Sequence, residues 1–248
     1  MPIDLNGDVG EGFGDEAFMP LLTSANIACG FHAGDPQTMD RTVALAKQHG
    51  VAVGAHPGYH DLSGFGRRPM KASPEEIEAD VVYQVAALAG FARAHGVELV
   101  HVKAHGALYN QAASDPGLAG AIARGVARFS RELVLVGLAT SSAMREAAEA
   151  EKIRFAGEAF ADRVYNPDGT LQSRRVAGSV ITDAKTAAAQ AVTIARDGKV
   201  KAHDGSDVTL SAETVCLHGD NPSAVRNAQA VRQALEEAGV ELRPLVSR

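Results

Sequence analysis

Six short, mostly apolar runs end in acidic or imidazole side chains: Asp4–Asp8, Asn26–Asp35, Val51–His56, His101–His105, Ala156–Glu158 and Val215–Asp220. Strand side chains alternate faces with period two, so Asp4, Asn6 and Asp8 share one side, as do His101, Lys103 and His105. Ile3, Leu5, Val100 and Val102 take the other. One such strand can be a solvated edge. A series of them, each followed by a helical segment, predicts a parallel barrel whose greasy outer face packs on helices and whose interior is a polar funnel. Barrel enzymes of this kind work at the C-terminal ends of their strands, where these polar residues accumulate.

The helix boundaries agree with that order. Asp35-Pro36, Ser73-Pro74, Asp115-Pro116 and Asn221-Pro222 each place a capping side chain before a proline suited to the first helical position. Ser73 and Glu76 have capping-box spacing, and Ile77, Val81, Val85 and Leu88 form a one-sided stripe after them. Gly50, Gly96 and Gly239 follow helical stretches and supply the left-handed residue before Val51, Val97 and Val240.

Leu133–Leu138 and Phe155–Glu158 complete seven predicted strands. Glu241–Leu245 is a candidate eighth, which Pro244 makes an edge or a tail, so closure of the barrel is left open. Two connections are long, Pro57–Ala72 and Asp162–Ser211. The second carries a helix near Asp183–Arg196 and a small hairpin, Val200–His203 with Val208–Leu210, before the last strand. Long connections on the active face cover substrate.

At 248 residues, 46% of them hydrophobic, the chain has the size of one (β/α) barrel, and a single domain over residues 1–248 is expected. A net charge of −6 gives no general attraction to nucleic acid or anionic membrane, so an anionic ligand needs a local basic cluster. No apolar run reaches 18 residues and no signal-type start is evident, which implies a cytoplasmic protein. Cys29 and Cys216 are the only cysteines; they exclude a disulfide framework and read first as buried packing. A nucleophilic Cys29 beside His32 is the weaker reading, because strand parity turns Cys29 away from the polar side.

Three constellations carry possible chemistry. Asp4, Asp8 and Glu11 end strand one, and Asp220 arrives from the last strand; crowded carboxylates raise one another's pKa values and furnish a base and an acid. Glu11 and Asp35, taken singly, read as surface or capping charges. His32, His56, His101, His105 and His218 lie at or near strand ends, whereas His49 and His95 read as cap residues. Asp8, His56 and His105 are the candidate ligands if a divalent metal is present. Hydrogen-bonded packing and proton transfer are the rival readings, since no His-Glu-x-x-His spacing occurs. Ser63–Arg68, with Arg67 and Arg68, is a candidate anion trap beside Lys103, and its rival is a surface loop with chance arginines. Gly10–Gly14 follows a strand but fits neither phosphate-loop nor dinucleotide patterns.

Asp4-Leu-Asn-Gly-Asp-Val-Gly-Glu11, Ser24-Ala-Asn-Ile-Ala-Cys-Gly-Phe-His-Ala-Gly-Asp35, Gly54-Ala-His-Pro57, Gly64-Phe-Gly-Arg-Arg68, His101-Val-Lys-Ala-His-Gly-Ala-Leu-Tyr-Asn110, Phe160-Ala-Asp-Arg163 and Val215-Cys-Leu-His-Gly-Asp220 together resemble the LamB/YcsF family. The likeness spans the chain. It departs at Ala104, where the family usually has proline, and at Gly7, where cysteine or alanine is frequent.

The resemblance implies a glycoside hydrolase/deacetylase-like barrel that takes part, with two further subunits B and C, in ATP-dependent opening of the 5-oxo-L-proline lactam to L-glutamate. Whether this chain or a partner binds the ATP stays open. On that reading Asp8 or Asp220 deprotonates water, His105 or His56 protonates the leaving nitrogen, and Lys103 with Arg67 steadies an anionic group. Asp4, Asn6, Asn26, His32, Arg68, His101, Glu158 and His218 complete the expected substrate-binding set. The rivals are a metal-dependent hydrolase of sugar-linked amides and a non-catalytic subunit that shelters a small carboxylate.

Overall fold

The structure, a computed structural model, describes residues 2–220 and 223–245. Its strands are β1 (Asp4–Val9), β2 (Ser24–Ala28), β3 (Ala52–His56), β4 (Leu99–Lys103), β5 (Val134–Leu138), β6 (Arg154–Phe160), β7 (Lys199–Lys201), β8 (Asp207–Thr209) and β9 (Thr214–His218). Seven of them, all parallel, close a barrel in the order β1-β2-β3-β4-β5-β6-β9, with β9 paired to both β6 and β1. β7 and β8 form the expected antiparallel hairpin outside it.

Helices α1 (Asp15–Phe18), α2 (Pro36–His49), α3 (Pro74–Ala94), α4 (Gly106–Ala112), α5 (Pro116–Phe129), α6 (Ser142–Glu151), α7 (Ala184–Asp197) and α8 (Ala224–Glu237) fill the connections. Asp35, Ser73 and Asp115 accept hydrogen bonds from first-turn backbone N–H groups, and Ser73 with Glu76 completes a capping box. The Asn221-Pro222 start lies outside the described residues. Gly50, Gly96 and Gly239 all have positive φ, as C-terminal caps require. The stripe Ile77, Val81, Val85 and Leu88 is fully buried.

Outward-facing Leu5, Val9, Ile27, Val53, Ala55, Val102 and Leu135 are buried in the main apolar core. Gly7 also faces outward, and a Cβ there would collide with the Phe18 ring of α1, so packing accounts for glycine at this departure from the family pattern. The candidate eighth strand does not enter the barrel. Ile3 N–H donates to Glu241 O and Arg243 N–H to Ile3 O, and a single bridge joins Ile3 to Leu242. Seven strands therefore close the barrel without it. Leu245 packs with Val134, Val136 and Ala156. These three share the inner face with His101, Lys103 and Glu158 by register, which places Leu245 at the barrel's lower end.

Candidate active site

Parallel register stacks the inward residues in tiers, Asp4 with Thr214, Asn6 with Ser24 and Cys216, and Asp8 with Asn26 and His218. The lowest tier is satisfied internally: Asp4 accepts from the hydroxyls of Thr23, Ser24 and Thr214. Burial raises the Asp4 pKa.

In the middle tier Asn6 donates to Glu158 (3.0 Å) and Thr214, Asn26 donates to Asn6 and Asp8, and His101 Nε2 donates to Asn26 Oδ1 (2.7 Å). Burial pushes the His101 pKa down to about 3, so this ring is neutral and structural.

Lys103 stands at the top of the column. Its Nζ lies 2.8 Å from Glu158, 3.0 Å from Asp8, 3.1 Å from Cys216 Sγ and 3.3 Å from Asn6 Oδ1. Burial alone would lower a lysine pKa, but Asp8, Cys216 and Glu158 lift this one well above its ordinary value. Burial would likewise raise Asp8, yet His56 and Lys103 hold it well below the usual carboxylate range. Asp8 is thus a buried carboxylate kept ionised.

Beside it lies an imidazole group. His105 Nδ1 is 3.0 Å from His56 Nε2, His32 stacks on His105 at 3.7 Å between centroids, and Glu11 Oε1 is 3.0 Å from His32 Nε2 and 3.4 Å from His105 Nδ1. Burial, Asp8 and Asp220 push the Glu11 pKa well above its ordinary value. Burial with the neighbouring imidazoles pushes His32 and His105 well below theirs. Asp8 and Glu11, neighbours on one turn of chain, are therefore driven in opposite directions.

Above these groups opens a cavity of about 670 Å³, lined by Asp8, His56, Lys103, His105, Tyr109, Phe160 and His218 at its base and by Arg67, Arg68, Arg163, Arg174 and Arg175 around its sides. Arg67 and Arg174 both pair with Asp220, the latter at 3.5 Å. His218 Nδ1 lies 2.9 Å from Asp162, which also accepts from the His218 backbone N–H.

Of the predicted catalytic residues, Asp8, His56, Lys103 and His105 meet at the cavity floor. Asp220 sits at the side of the cavity, where it pairs with the Arg67 and Arg174 guanidinium groups, and these with His218 lower its pKa despite burial. Asp4, Asn6, Asn26, His101 and Glu158 do not line the cavity; they form the scaffold beneath it. Arg68 is forked onto Asp61, so half of the expected anion trap holds its own loop together.

Glu11 corrects the surface-charge reading, because its side chain is 4% exposed among three imidazoles. Crowding does not raise every acid here, as Asp8 shows. Asp35 is the helix cap expected. Cys29 is buried in the apolar core with its pKa pushed up to about 12 by burial, which removes the nucleophile reading. Sequence reasoning missed Arg163 and Arg174 as cavity residues; the only available signal was Arg163 within the Phe160–Arg163 motif.

A closed ring of seven parallel strands, with an ionised acid, neutral imidazoles and a buried lysine at its C-terminal mouth, defines the class as a (β/α) barrel whose polar groups gather where such barrels place their sites. Within that class the chain belongs to the LamB/YcsF family, whose model matches residues 3–248. A protein of Symbiobacterium thermophilum named as the A subunit of 5-oxoprolinase is 55% identical over 246 residues, 97% of this chain and 94% of its own length. The crystal structure of the lactam utilization protein from Thermus thermophilus superposes with a TM-score of 0.91 at 49% identity, covering 98% of this chain and 99% of that one. A T48 deacetylase with substrate reaches a TM-score of 0.50 at 15% identity over 98% of this chain and 88% of its own, a likeness of fold alone. Among the described residues no helix is long and apolar enough to cross a membrane.

Proposed function

We propose that this chain is the A component of a multi-subunit, ATP-dependent 5-oxoprolinase, cytoplasmic, acting with subunits B and C to convert 5-oxo-L-proline to L-glutamate. The observation that carries the reading is the whole-length likeness to relatives that bear the name of that component. The site chemistry is compatible with it. A five-membered lactam keeps amine and acyl group tethered, so ring closure competes with simple hydrolysis at an effective molarity on the order of 10⁵ M or more. The amide therefore needs activation.

Transfer of the γ-phosphoryl group of ATP to the lactam oxygen makes the carbon electrophilic. Water adds to that carbon, the ring C–N bond breaks with protonation of nitrogen, and the resulting acyl phosphate is hydrolysed by a second water to glutamate and phosphate. Asp8, held ionised beside His56 and His105, takes the proton from the attacking water and passes it to the leaving nitrogen as the ring C–N bond breaks. Arg67, Arg163 and Arg174 offer fork-shaped donors to the substrate carboxylate or phosphoryl oxygens. Lys103, already holding four partners, sets the charge of Asp8.

The test is reconstitution with the partner subunits, following glutamate release with and without ATP. Asp8→Asn and His105→Gln are each expected to abolish it with the fold intact. Near-normal turnover in both variants rejects the assignment.

A further inference from the structure

The imidazole group contains a contact that neutral side chains cannot make. His56 Nδ1 faces the carbonyl oxygen of Lys103 at 2.7 Å, and His105 Nε2 faces that of Phe65 at 2.9 Å. A carbonyl only accepts, so each of these ring nitrogens carries the hydrogen. With both rings neutral, the opposite nitrogens, His56 Nε2 and His105 Nδ1, point lone pairs at each other across 3.0 Å. Glu11 Oε1 lies 3.4 Å from the second and 3.9 Å from the first, and Asp8 Oδ2 lies 3.4 Å from the first. Four acceptor atoms converge, and something positive belongs between them.

The spacing identifies its kind. Zinc bonds of 2.0–2.1 Å to nitrogen or oxygen, arranged tetrahedrally, put neighbouring ligand atoms about 3.3 Å apart. The separations within Glu11, His56 and His105 bracket that value. The His56 and His105 planes cross at 88°, so their in-plane lone pairs can meet at one point. His32 cannot join them: its ring is parallel to His105 within 3°, which keeps the two lone pairs in separate planes. It instead meets Glu11 Oε1 through Nε2 and leaves a buried Nδ1 without a partner among the described residues.

Backing of each ligating ring by a backbone carbonyl is the arrangement that fixes a histidine for metal binding. The three groups come from the C-terminal ends of β1, β3 and β4. Gly58 and Gly66 pack so closely over His32 and His105 that a Cβ at either would collide with a ring.

We propose that Glu11, His56 and His105 form a binding site for one divalent transition-metal ion of the zinc class, with the fourth corner open toward Asp8 Oδ2 and the cavity. Two nitrogens and one carboxylate oxygen suit zinc, cobalt or nickel and disfavour magnesium and calcium. His32 is a positioning residue for Glu11. The inference concerns what the cluster holds and stands independently of the reaction proposed above.

The test is calorimetric titration of the chelator-stripped full chain with zinc chloride, repeated with cobalt chloride under visible spectroscopy. One equivalent is expected to bind, cobalt giving the visible bands of a four-coordinate ion. Glu11→Gln and His105→Gln should each weaken zinc by about tenfold or more, with His32→Gln falling between them and the parent. His95→Gln, on the surface beside Asp40, should leave the affinity unchanged. Circular dichroism checks that each variant is folded, and if His105→Gln fails to fold, Glu11→Gln carries the test. Absence of saturable one-to-one binding overturns the proposal, as does equal affinity in Glu11→Gln. So does an imidazolium at His56 or His105, read by nitrogen NMR, that persists in excess zinc, since a shared proton would then be the occupant.

Discussion

The imidazole of His101 occupies the space that a side chain on Gly54 would need, so that a Cβ there would fall well inside contact distance of His101 Nε2. The two residues are register partners on neighbouring strands and both face the barrel interior. Gly54→Ala should therefore strain the column and cost about 1–3 kcal/mol. A urea midpoint lowered at unchanged slope checks it, and much of the loss should vanish in Gly54→Ala/His101→Ala.

Lys103 neutralises two buried carboxylates, Asp8 and Glu158. Lys103→Met strands both, and breaking such a buried pair costs about 3–5 kcal/mol. Chemical denaturation should show a loss of that size. Adding Glu158→Gln to the variant should recover part of it, whereas an additive double variant would mean the pair is not coupled.

Asp162 gives a pH dependence with a definite sign. Burial would raise its pKa, but His218 and the hydrogen bonds it donates, with Arg174, bring it below the ordinary 3.8. A depressed folded-state value contributes stability that is fully present above about pH 4 and is lost as pH falls through the folded value. The stability gap between the parent and Asp162→Asn should be largest at neutral pH and shrink below about pH 4. A gap that stays constant from neutral pH down into that acid range contradicts this.

Arg174 lines the cavity with its Nη2 buried and unpartnered among the described residues. A charge-assisted hydrogen bond contributes about 1.5–3 kcal/mol, so Arg174→Met in the reconstituted complex should raise KM for 5-oxoproline about tenfold or more. Here kcat should stay within about twofold. A fall in kcat alone would place Arg174 elsewhere in the cycle.

The strands, caps and hairpin were legible because each has a local signature: period two for β1 and β4, Asp or Ser before proline at α2, α3 and α5, and a turn at Asp204-Gly205. Parity also assigned Asp8 and Lys103 to the inner face. It did not assign depth, because depth depends on how far each strand is staggered against its neighbours. For that reason Asp4, Asn6 and His101 looked equivalent to Asp8 and His56, yet they lie below the cavity floor. Glu11 was grouped with the strand-one acids, but its burial was not legible, because it follows the strand in a glycine-rich turn, with Gly10 and Gly12 at positive φ, where alternation no longer says which way a side chain points. Arg163 and Arg174 sit in a long aperiodic connection, and only tertiary folding carries them to the mouth.

Leu245 plugging the end opposite the arginines makes the barrel a blind-ended cup. Whatever enters must leave by the same door, so a product has to clear the rim before the next molecule can descend. Any protein that hands cargo to this one must dock on the side where α4 begins and the 162–175 segment folds over, and no traffic passes through the floor.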